Sequence, residues 1–119
     1  MAITNIKPVK LGLNEMSAAM AFTAPAAAAD GFAIDYLEQD TKILIIAKNG
    51  GSAGQTITFR KGDGIQGVAD SEAFALAAGE IKCIVLESGK FKKMTGENKG
   101  CVVGIPSSKD VAVAAVVLP

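Results

Sequence analysis

The stretch from Thr56 to Gly67, TITFRKGDGIQG, can be read in two ways, and the choice decides the fold. Gly62, Gly64 and Gly67 match G-x-G-x-x-G, the pattern that cradles a pyrophosphate between a strand and a helix. The run Val68–Ala78, VADSEAFALAA, would supply that helix. IKCIVLE would then be a second strand ending on Glu87, about 20 residues past the last glycine, where a ribose-binding acid belongs. The side-chain pattern argues the other way. A first strand of a dinucleotide fold is buried on both faces and reads as a continuous apolar run. Here Thr56, Thr58 and Arg60 alternate with Ile57 and Phe59, the mark of a half-exposed strand. Phe74 and Leu76 stand two apart, so they share one face of a strand but diverge by about 200° on a helix. The glycines then belong to a bend between two strands.

Outward from this stretch, turn signals recur at roughly 10-residue intervals, the spacing of an all-β sandwich. They are Asn49-Gly50-Gly51, the glycine stretch itself, Ala78-Gly79-Glu80, Ser88-Gly89-Lys90, Thr95-Gly96-Glu97-Asn98 and Pro106-Ser107-Ser108. Strands are expected between them at 42–48, 56–60, 73–77, 81–86, 91–94, 101–105 and 111–118, with weaker candidates at 3–9 and 32–36. Asn14 is placed to cap a short helix through Met20 (residues 14–20), which Pro25 would stop. The expected fold is therefore all-β: one antiparallel β-sandwich domain over 1–119, of about seven to nine short strands. Residues 1–12 are read as a docking arm.

Composition narrows the function. The chain has 119 residues, enough for a core without disulfide staples. It is 50% hydrophobic but only 5% aromatic, with no Trp, so the core is built from small aliphatic side chains. Twelve basic residues balance twelve acidic ones. That is not the balance of a nucleic-acid binder, and near-zero net charge leaves self-association unopposed. Histidine is absent, which removes the commonest general base and metal ligand. Cys83 and Cys101 each sit in an apolar run and are expected to be reduced and packed, with a disulfide as the alternative. Asp30, Asp35, Glu38 and Asp40 cluster around Tyr36 without calcium-loop spacing, as in a solvated loop. No catalytic residue, metal site or cofactor is expected, and the protein is not expected to be an enzyme. MSAAMAFTAPAAAAD, after Lys7 and Lys10, resembles a signal peptide only superficially, because Asn14 and Glu15 interrupt the apolar region that follows those lysines. No run is long enough for a membrane helix.

The C-terminal VAVAAVVLP and the central KILIIAK are apolar on both strand faces. One face suffices in a two-layer sandwich. The other needs a cover: the N-terminal segment, a neighbouring copy or a larger partner.

The order of these segments resembles a family. MAITNIKPVKLGLNE, then ILIIAKNGGSAGQTITFRKGDGIQG, FALAAGEIKCIVLESGKFK and VAVAAVVLP are similar to capsid (head) decoration proteins of phages and prophages of Gram-positive bacteria. The resemblance is one of pattern, and Cys83 and Cys101 are not part of it. It implies a small β-rich virion protein that binds the outside of the shell formed by the phage major capsid protein and stabilises it. The implied location is the capsid exterior, after assembly in the bacterial cytoplasm. Neighbouring copies are further candidate partners; nucleic acid and membrane are not. Termini commonly reach out and dock, so Ile3, Ile6, Lys7, Val9 and Lys10 are the expected capsid contacts. The alternatives are a tail or neck protein of the same virion and, from another class, a nucleotide-binding enzyme using the Gly62–Gly67 loop.

Overall fold

A computed structural model describes residues 3–119. Nine strands form two packed sheets, as the turn spacing predicts. They are β1 (Thr4–Ile6), β2 (Val9–Lys10), β3 (Phe32–Asp35), β4 (Ile43–Asn49), β5 (Gln55–Phe59), β6 (Phe74–Leu76), β7 (Ile81–Ile84), β8 (Cys101–Pro106) and β9 (Val111–Val117). One sheet has the order β1-β3-β8-β5-β6, the other β2-β9-β4-β7.

Alternation sets the core. Along β4, Ile43, Ile45, Ala47 and Asn49 are buried while Leu44, Ile46 and Lys48 are half-exposed. Val111, Val113 and Ala115 of the neighbouring β9 share that inner face, and opposite it lie Phe32 and Ile34 of β3, Ile57 and Phe59 of β5 and Val102 of β8. Leu76 of β6 joins this cluster and Phe74 packs against it, so the two-apart spacing marks a strand as expected. β6 runs antiparallel to β5, and 68–78 holds no helix.

Four expectations change. The sheets are mixed rather than purely antiparallel, because β1 pairs parallel with β3 and β2 parallel with β9. The chain switches sheets at Lys7-Pro8, where proline cannot donate to a ladder. Residues 4–6 and 9–10 are consequently integral strands, not a free arm. No helix forms at 14–20. Asn14 has φ 62°, and the segment is tied at both ends to β9 by Leu11 N–H to the Val117 carbonyl and Thr23 N–H to the Val113 carbonyl. Alanine propensity alone does not nucleate so short a helix. Residues 91–94 are not a strand either. Asp40 accepts hydrogen bonds from the N–H and hydroxyl of Ser88. This starts a helical turn, α1 (Ser88–Phe91), and only an isolated bridge pairs Lys92 with Val102.

Candidate docking surfaces

The outward side of the β2-β9-β4-β7 sheet follows from the register. Ala112, Lys48 and Ile81 form one row; Ala114, Ile46 and Cys83 form the next; Val116 and Leu44 follow. Lys48 is the one charge among these outward side chains of β9, β4 and β7. Part of the face is covered by the chain itself. Thr23 bridges to Val113 on the free side of β9, which places Phe22 beneath Lys48, with the ammonium 5.6 Å from the ring centroid. Ala114, beside Met20, Ala21 and Thr23, is buried, as is Val116, which pairs with Val9 of β2. Toward β7 the cover ends: Ile81 is 53% exposed, and Cys83 and Val85 are exposed as well. Of the covers foreseen for the second face, the N-terminal segment lies over β9, and the apolar surface of β7 faces solvent.

At the edge itself, Lys82 turns inward and donates to the Ala75 carbonyl of β6 at 3.0 Å, while pairing with Glu80 at 3.2 Å. An inward charge at the rim closes the sandwich and discourages strand addition there.

The segment between the two ties to β9 is unusual in a different way. Every residue from Leu13 to Ala24 is exposed, Leu13 at 79% and Met16 at 96%. No backbone hydrogen bond joins 12–22 to the rest of the described chain. The accessible surface, 6660 Å², exceeds the ~6,000 Å² expected of a compact monomer of this mass. The solvated segment from Leu13 to Ala24 contributes to that surface.

A third patch is the glycine stretch. Gly62 N–H donates to the Lys90 carbonyl and Gly67 N–H to the Gly64 carbonyl. None of the three glycines has positive φ. Glycine is needed for close approach: a Cβ on Gly62 would stand 2.4 Å from the Lys92 oxygen, and one on Gly67 would stand 2.1 Å from the Gly62 oxygen. The side chain of Asp63 fastens the loop, accepting from the Met94 N–H, the Thr95 N–H and the Thr95 hydroxyl. The Thr95 hydroxyl, then the Met94 amide, hold its carboxyl below the usual range. The loop presents Ile65, wholly exposed, beside Val68 and Met94, over a groove of about 420 Å³. In place of a phosphate cradle, the stretch forms a fastened loop with an apolar tip.

The residues expected to contact the capsid are dispersed. Ile6 is in the core, Ile3 and Val9 are half-buried, and only Lys7 and Lys10 are exposed. Ile6 is withdrawn from solvent because β1 pairs it with Ile34. Lys7 and Lys10 border a groove of about 250 Å³ with Pro8, Asp35 and Glu38, and Lys10 approaches Glu38 at 3.7 Å. The acidic cluster has structural partners: Asp35 accepts from Asn5 and Asp40 from Ser88. Among the described residues no three His, Cys, Asp or Glu are grouped to hold a metal. Both cysteines are free, but Cys83 is exposed rather than packed, since its position in β7 faces outward. Cys101 is buried against Asp35, and burial first, then that hydrogen bond, pushes its thiol up to about 11. Sequence reasoning missed the apolar tip and the Leu13–Ala24 segment; Ile65 and Met16, large apolar residues within turn-forming or polar neighbours, were the available signal. Compared with protein-family models, curated proteins and solved structures, the chain matches none.

Proposed function

We propose that this chain is a virion structural protein, a decoration protein that binds the outer surface of a phage head shell and stabilises it. The observation that carries this reading is the grouping of exposed apolar side chains. A sandwich whose own core is complete still presents three separate apolar patches: the Ile65 tip, the outward side of β7 and the Leu13–Ala24 segment. Monomers that work alone rarely expose several such patches, whereas subunits that work in an assembly need them. The resemblance of the segment order to decoration proteins points the same way.

Within this reading the Ile65 tip meets the major capsid protein. It is the patch held in place by side-chain hydrogen bonds, so little ordering entropy is lost on contact. Binding only to the assembled shell stabilises that shell by linkage. Two measurements test the reading. Purified particles should contain the chain in hundreds of copies; tens of copies would indicate a tail or neck ring, and absence would end the proposal. Ile65→Asp should abolish binding to undecorated heads while leaving the chain folded, because Ile65 makes no core contact.

A further inference from the structure

Two of the apolar patches lie at opposite margins of one sheet. The Leu13–Ala24 segment hangs from the outer side of β9, and the uncovered apolar face lies across β4 and β7. The chain covers only part of the face, through Phe22 beneath Lys48, and leaves Leu13, Met16, Ile81 and Cys83 exposed. The charges of the segment and the face are complementary. Glu15 is the one charge between Leu11 and Ala29, and among the described residues no cation forms an ion pair with it. Lys48 is the one charge on the outward face, and its described partner is the Phe22 ring rather than a carboxylate. An apolar segment carrying Glu15 and an apolar face carrying Lys48 are thus presented by the same molecule toward the two margins of one sheet.

We propose that Leu13–Ala19 of one copy seats on the outward face of β4 and β7 of a second copy, with Leu13 and Met16 against Ile46, Ile81 and Cys83, and Glu15 paired to Lys48. The contact is heterologous: each copy donates a segment on one side and accepts one on the other. Such contacts close into rings when the rotation allows. A self-paired, two-fold contact between two outward faces would instead oppose Lys48 to Lys48. The contact belongs to the isolated chain in solution and stands independently of what shell, if any, the protein decorates.

The test uses the purified full chain carrying Met16→Cys, with the native Cys83 as its partner. Mild oxidation should give a ladder of disulfide-linked multimers above the dimer on a non-reducing gel. Mass spectrometry should find the 16–83 link between copies, and adding Cys83→Ser should remove it. Sedimentation at high micromolar concentration supplies the second arm. Glu15→Lys and Lys48→Glu should each weaken self-association about two- to fivefold, the span expected of an exposed ion pair, and the double variant should restore it. All these sites are surface positions, so thermal midpoints should hold and report on folding. A chain that stays monomeric and forms no such link, or a 16–83 disulfide confined to one chain, would overturn the proposal. Failure of the double variant to recover would overturn the Glu15–Lys48 pairing.

Discussion

Tyr36 shows how a single hydroxyl holds the two layers in register. It is fully buried just after β3, where its OH donates to the Leu86 carbonyl at 2.6 Å and accepts from the Leu86 N–H at 3.1 Å. Burial, the largest influence, keeps the phenol above its ordinary pKa. Tyr36→Phe leaves both Leu86 backbone groups buried without partners and should cost about 2–3 kcal/mol, read as a lower urea midpoint at unchanged slope. Asn49 does similar work at the end of β4, donating to the Ala53 and Leu76 carbonyls and accepting from the Gly51 N–H. The Asn-Gly pair announced a turn in the sequence; that its side chain would be wholly buried and tie β4 to β6 was not legible, because Leu76 is distant in the chain. The cysteines separate by environment. Iodoacetamide at neutral pH should alkylate Cys83 in the native protein, whereas Cys101, with its thiol at about 11 and buried, should react only after unfolding.

At the scale of elements, the glycine stretch is the informative case. Its residues were legible as a bend because Thr56–Arg60 alternates and Phe74/Leu76 share a strand face. The reason for glycine was not legible, since it lies in the Lys90–Lys92 backbone packed against it. Asp63 makes the packing pH-sensitive. A carboxyl whose folded pKa is lowered stabilises above its unfolded value and loses that contribution as pH falls through the folded one. Once pH falls through that folded value, which lies under the ordinary Asp value of about 3.9, the loop should therefore detach from Met94 and Thr95 while the sandwich persists. Hydrogen exchange at those two amides should rise in acid, and Asp63→Asn should reproduce the rise at neutral pH. If the two amides exchange equally fast in wild type and variant, the fastening role fails.

For the whole molecule, the N-terminal residues belong to the fold before they belong to any partner. Ile6 sits in the core beside Ile34, and Val9–Lys10 extend the ladder of β9. Deleting residues 1–10 should cost about 3 kcal/mol or more, from a lost buried aliphatic side chain and exposed ladder groups. Met16→Ser, at a fully solvated site, should stay within about 0.5 kcal/mol. Thermal or denaturant melts of the two variants check this, and equal losses would contradict the placement of β1 and β2.

Local patterning determined the class of the fold and most of its strands: alternation in β4, β5 and β9, glycine and proline punctuation, and the two-residue spacing of Phe74 and Leu76 all act within a few residues. Composition alone also showed a chain rich in small apolar side chains with no histidine. Tertiary structure decided the rest. It set the parallel pairing of β1 and β2, the helical turn at Ser88 drawn out by Asp40, the close approach that requires Gly62 and Gly67, and which apolar side chains stay in solvent. Each of these depends on groups far apart in the chain meeting in space, where hydrogen-bond satisfaction and packing override local propensity. Met16 and Ile6 are both apolar residues in the N-terminal segment, and only the pairing of β1 with β3 buries one and leaves the other exposed.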